Sequence, residues 1–194
     1  MSADRYRPIC SAVLLAAMAC AHASHTHSAH VHGEAKLGIV REGASIVLWL
    51  RVPGQNMMGF EHDPVTPAEL ETVRDVMAFL KNPAQWVQLD AAGGCTVQTV
   101  DVRPPFKTAS NGASGDSVPL HSGSPRNEAE HSKHENVEAT YRYECRSPLS
   151  VRGIDISLIR AYPSLHKIQV DIVSDDWQGS QLLQPGVERV HFSR

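Results

Sequence analysis

This 194-residue chain predicts an α+β domain: mostly antiparallel β-sheet, with one main helix at about residues 67–81. Several stretches alternate apolar and polar residues, the two-residue period of strands with one buried face. Only one segment carries a full helix signature. Runs of strands interrupted by a single helix, with no internal repeat, belong to the α+β class rather than to alternating βα units.

The chain opens with Arg5 and Arg7, then the apolar run Ile9–Ala21, then Ala21-His22-Ala23, a small-x-small cleavage pattern. Residues 1–23 therefore read as an export signal peptide cut after Ala23, which places the mature protein outside the cytoplasm. The apolar run falls short of the roughly 20 residues that span a membrane. An uncleaved anchor and lipidation at Cys20 are the alternatives. At Ala17, however, lipidation signals usually carry leucine. No membrane span remains after signal removal. Losing Asp4, Arg5 and Arg7 takes the net charge from −3 to −4. That balance offers no basic face for nucleic acid. The rest is long enough for one core.

Residues 24–33 form a Ser-, His-, Ala- and Thr-rich segment expected to be flexible, and a single domain is expected over 31–194. A strand is expected from about Val31 to Arg41, a turn at Glu42-Gly43-Ala44, and a returning strand from Ser45 to Val52. The latter is largely apolar on both faces, which suits a central or doubly covered position. Thr66-Pro67-Ala68-Glu69 supplies a capping hydroxyl, a proline at the first helical position and a glutamate three residues after the cap. Leu70, Val73, Met77 and Leu80 then mark one face, and Lys81-Asn82-Pro83 ends the helix.

Trp86–Leu89 reads as a short strand, and Cys95–Arg103 and Val137–Cys145 as two longer ones. If Arg103 faces Val137 in an antiparallel hairpin, Val97 faces Tyr143 and Cys95 faces Cys145. These are the only cysteines left after processing, so a disulfide is expected between them. Two buried thiols or two metal ligands are the other readings. Between the strands, 104–136 is a polar loop, far longer than the roughly 12–15 residues usual for an unstructured connection. The disulfide is expected to anchor its base. Ile154–Ile159 and Ile168–Val173 alternate as strands, and Gln181–Leu183 and Val187–Phe192 read as two short additions.

Chemistry is concentrated in the histidines. Ten of the 11 follow Ser24. His25, His27, His30 and His32 form one run, and neutral imidazole is the commonest side-chain ligand for zinc, copper and nickel. On a strand, His30, His32 and Glu34 would share a face, with neighbours about 6.5–7 Å apart. Glu61-His62-Asp63 places three potential ligands before the helix. The loop holds His121, His131 and His134 among Glu128, Glu130 and Glu135, and would bind weakly because binding must order it. His166 and His191 read as structural histidines, and Met57-Met58 as core filling rather than a soft copper site.

These residues resemble a known family. His30-Val31-His32-Gly33-Glu34-Ala35-Lys36-Leu37, Asn56-Met57-Met58-Gly59-Phe60-Glu61-His62-Asp63-Pro64, Tyr143-Glu144-Cys145, Ala161-Tyr162-Pro163-Ser164-Leu165-His166-Lys167-Ile168 and Gln178-Gly179 are similar to the ZrgA-like family of bacterial periplasmic zinc-binding proteins. The resemblance implies Zn(II) as the bound ion, a role in zinc acquisition beside an ABC importer, and His30, His32, Glu61 and His62 as ligands. Such families usually carry a His-rich acidic central loop, and three histidines make this one modest. Copper or nickel handling is one alternative, since imidazole alone favours copper. A small metallohydrolase is another, but there is no His-Glu-x-x-His or Gly-x-Ser-x-Gly. No enzymatic activity is expected.

Overall fold

The computed structural model describes residues 32–106 and 136–192. The export signal, His25, His27, His30, His121, His131 and His134 lie outside the described residues, as does nearly all of the 104–136 loop. In chain order the elements are β1 (Glu34–Glu42), β2 (Ser45–Pro53), α1 (Gly54–Met58), α2 (Pro67–Lys81), β3 (Val87–Leu89), β4 (Cys95–Arg103), β5 (Asn136–Cys145), β6 (Gly153–Ile156), α3 (Leu158–Ala161), β7 (Lys167–Ser174), β8 (Gln178–Leu183) and β9 (Arg189–His191). Six strands form one sheet in the order β4-β5-β2-β1-β7-β8, and three form a second in the order β3-β6-β9. The α+β architecture is as predicted, with α2 as the one long helix among the described residues.

Alternation builds the core. Leu37 and Ile39 of β1, Ile46, Leu48, Leu50 and Val52 of β2, Val137 and Tyr141 of β5, and Ile168 and Val170 of β7 all face one side and are buried. Burying each large aliphatic side chain contributes about 1.5–3 kcal/mol. Against that side lies α2, whose capping box is complete. Thr66 Oγ1 accepts from Glu69 N–H, and Glu69 Oε2 accepts from Thr66 N–H at 2.9 Å and Val65 N–H at 2.8 Å. Tyr141 donates its phenol to Leu80 O at 2.9 Å, tying the helix end to the sheet. Burial pushes that phenol well above its ordinary range. Thr66→Ala removes one half of the cap and is expected to lower stability by about 1 kcal/mol. A urea denaturation midpoint unchanged from wild type would contradict this.

In its strands and main helix the structure departs from or adds to the expectations at five points. The buried face of α2 is Val73, Val76 and Leu80, while Leu70 at its first turn is exposed. The apolar stripe therefore starts one turn later. Second, β2 is central but covered on one face only: Trp49 is 41% exposed on the other side, where it lies across Gly38 of β1. Third, β1 and β7 pair in parallel, a long-range pairing amid antiparallel neighbours. Fourth, Cys95 does face Cys145 and Val97 faces Tyr143, but the register slips between Val97 and Thr99. An extra residue at this bulge puts Arg103 opposite Glu138 instead of Val137. Fifth, the alternation at 154–159 yields a strand only to Ile156. The three-residue pairings end at Ile156 with β3 and at Asp155 with β9, and the chain turns into α3 at Ser157, whose N–H donates to Trp86 O.

A bond links Cys95 Sγ and Cys145 Sγ at 2.04 Å. Cys95 opens β4 and Cys145 closes β5, so the bridge sits at the end of the hairpin opposite the 104–136 connection. It therefore does not anchor that connection's base. Phe106 does so instead, stacking on Phe60 with ring centroids 5.8 Å apart.

Candidate metal centre

Three chain segments meet where β1 begins. Asn56 of α1 is buried, at 2% exposure, and spans the first of them with both ends of its amide. Its Oδ1 accepts from Gly33 N–H at 2.8 Å and its Nδ2 donates to Glu34 O at 2.9 Å. At the start of β7, His166 N–H and Lys167 N–H donate to Gly33 O at 2.8 and 3.0 Å. Ser164 Oγ donates to Asn56 O, closing the junction. Gly33 has φ +81°, and a Cβ there would lie 2.8 Å from the His166 ring. Only glycine accepts both that conformation and that approach. His32 is thus set on a fixed backbone point.

The second candidate, Glu61, arrives through a reversal. Gly59, in the left-handed conformation, ends α1 and turns the chain so that Phe60, Glu61 and His62 come back toward β1. His32 Nε2 then lies 3.6 Å from Glu61 Oε1, with both side chains substantially exposed. That separation exceeds a hydrogen bond. Two ligands on one tetrahedral zinc, with bonds of about 2.0–2.2 Å, sit about 3.4 Å apart.

His62 faces elsewhere. Its ring stacks on Phe60 at 5.2 Å between centroids, its Nδ1 lies 3.0 Å from Asp63 O, and its Nε2 lies 3.7 Å from Glu69 Oε1. Hydrogen bonds from Val65 and Thr66 N–H hold the Glu69 carboxyl below its ordinary range, with desolvation opposing them. Glu34 is occupied by an ion pair with Lys167. Of the sequence candidates, the fold therefore brings His32 and Glu61 together, turns His62 to Glu69, and gives Glu34 to a lysine. Among the described residues, no three His, Cys, Asp or Glu side chains gather closely enough to hold a metal.

The model of the ZrgA family, described as zinc uptake protein, matches residues 29–192. The chain belongs to the ZrgA family. No curated protein matches it. The ZrgA match takes in His30, the whole junction around Asn56, both His–Glu pairs and the disulfide hairpin. It also gives this chain a role in zinc uptake.

Sequence reasoning missed Asn56, Ser164 and Lys167 as partners and saw Glu69 only as a cap. Asn56 carried one usable signal: an amide in a stretch that continues into Met57 and Met58, both buried as expected. The other three carried none. His166 and His191 are exposed, and His166 serves through its backbone and its contact with Gly33.

Proposed function

We propose that this protein is a periplasmic zinc-binding protein that buffers Zn(II) or delivers it to an ABC importer. The observation that carries the reading is the pairing of His32 Nε2 with Glu61 Oε1 at 3.6 Å, a ligand-to-ligand separation assembled by two segments 29 residues apart in sequence. A family described by zinc uptake supports zinc as the ion. The Cys95–Cys145 bond supports an oxidising compartment, hence export through residues 1–23.

In this reading His32 and Glu61 hold the ion, and His30 supplies a further imidazole from just upstream. Water fills what remains, so the ion exchanges readily. His25 and His27 raise the local metal concentration. So do His121, His131 and His134, because the segment that carries them departs from Phe106, beside Phe60. Binding rather than catalysis is the role. Protons compete with zinc for imidazole, so affinity falls as pH falls.

Calorimetric titration of the processed, tag-free protein with zinc tests this. The expected result is saturable uptake at pH 7.5, with the tightest equivalent weakened roughly tenfold or more in a His32→Ala, Glu61→Gln variant. Unchanged uptake in that variant would remove the named site. Tighter copper or nickel binding at the same residues would transfer the reading to those ions.

A further inference from the structure

We propose that two copies of this chain dimerise face to face through the open side of the six-stranded sheet, with Trp49 at the centre of the contact. This is independent of the metal reading.

The core lies on the other side of that sheet. There α2, α3 and the second sheet add Val73, Leu80, Leu158, Ile154 and Val190 to a single buried cluster. Among the described residues none of these elements covers the open side, where Lys36, Val40, Trp49, Arg51, Asp171 and Val173 are exposed. Polar residues are expected on a solvated sheet face, but its middle is apolar. Val40 of β1 stands opposite Val47 of β2 and Val173 of β7, so three valines form one row across three strands. In the next row of the same face Trp49 stands opposite Gly38, and its indole lies across the space the glycine leaves. Val40, Trp49 and Val173 are 42%, 41% and 47% exposed. An apolar centre that holds a tryptophan and is ringed by polar side chains is the anatomy of a protein–protein interface.

A second copy fits this face in charge, size and symmetry. Arg51–Glu138, Arg103–Asp101, Arg142–Glu144 and Lys167–Glu34 pair on it. Within these strands Lys36, Glu42 and Asp171 are the remaining charges, which leaves the face one negative charge from neutral. It has no strong sign to draw an acidic or a basic partner, and it does not repel its own copy. The nine residues of β1 span about 30 Å, and six strands about 4.8 Å apart span about 24 Å. The face thus offers about 700 Å² per copy, or about 1,400 Å² in all, within the range of stable specific interfaces. β2 and β1 are the two middle strands of the six, so the apolar centre sits on the sheet's midline. A two-fold axis through that centre lays it against its own copy, as an isologous contact requires. The two sheets then pack as a sandwich about 10 Å apart.

The test is sedimentation velocity of the full processed chain in chelator, which removes any association bridged by metal at the histidines. Wild type is expected to sediment as a dimer at about 100 µM and to dissociate on dilution. Trp49→Lys and Val173→Lys, each checked for wild-type circular dichroism, should raise the dissociation constant roughly tenfold or more. Leu149→Lys, at an exposed leucine outside both sheets, should leave it unchanged. If Trp49→Lys fails to fold, Val173→Lys decides alone. Wild type that stays monomeric at that concentration would overturn the proposal, whether Trp49 is open to iodide quenching or shielded by another part of the chain. So would a dimer that survives both sheet-face substitutions, since it would use a different surface.

Discussion

Replacing Cys95 and Cys145 together by serine is expected to lower the unfolding free energy by about 4 kcal/mol. The bond closes a loop of 50 residues by sequence separation. The chain-entropy account assigns about 3 kcal/mol to a 15-residue loop and about 4.7 to a 100-residue one, so this bridge falls between them. The loop includes the long polar connection between β4 and β5. Without the bridge, the hairpin must close that connection on strand pairing alone. β4 is an edge strand, largely exposed along its length, and a bulge interrupts its ladder. Besides the bond, only its ladder to β5 and its contact with α2 hold it among the described residues. With a urea slope of about 2 kcal/mol per molar, the midpoint should fall by about 2 M. A fall under about 0.5 M would mean that β4 is held by packing on α2 rather than by the bond. Wild-type protein in reductant should behave like the double variant.

That bridge is legible in the sequence because both strands announce themselves by alternation and a cysteine stands at one end of each. The bulge, which alternation does not reveal, leaves the pairing of the sulfurs intact, since the slip lies beyond Val97, on the side away from them. α2 is legible to the residue because its start and stop signals are local: Thr66, Pro67 and Glu69 at one end, Asn82 and Pro83 at the other. What stays hidden is nonlocal. Nothing in 34–42 or 167–174 states that these strands run parallel. Nor does 154–159 state that its neighbours supply only three pairing residues each. Period alone cannot give strand length where partners decide it.

The candidate site shows the same division. The histidines and acids are visible as residue types. Their grouping is not, because it depends on where α1 places Asn56 and on the reversal at Gly59. Strand alternation suggests that Glu34 would join His32, but Lys167, brought by the parallel partner strand, takes its carboxylate. Adjacency in sequence suggests that Glu61 and His62 would act together. The turn sends them opposite ways, one to His32 and one to Glu69.

Asn56 should therefore prove as important as any ligand. Asn56→Ala leaves Gly33 N–H and Glu34 O without partners in a buried place. Each orphaned group costs about 1–3 kcal/mol, so a loss of about 3 kcal/mol is expected in urea denaturation. Zinc affinity at His32 should fall in parallel, because the backbone that carries His32 is no longer held to the loop that carries Glu61. Asn56→Asp separates hydrogen bonding from shape. One carboxylate oxygen still accepts from Gly33 N–H, but the other meets Glu34 O, acceptor against acceptor, and a charge is buried. Burial raises the pKa of such a carboxyl. A raised folded-state value means that the protonated form is the favoured one, so the variant's stability relative to wild type should improve as pH falls through that value. Denaturation at pH 7.5 and pH 5 checks the sign. A constant gap between Asn56→Asp and wild type across that range, or an Asn56→Ala protein within about 0.5 kcal/mol of wild type, would show that the amide is packing rather than a clamp.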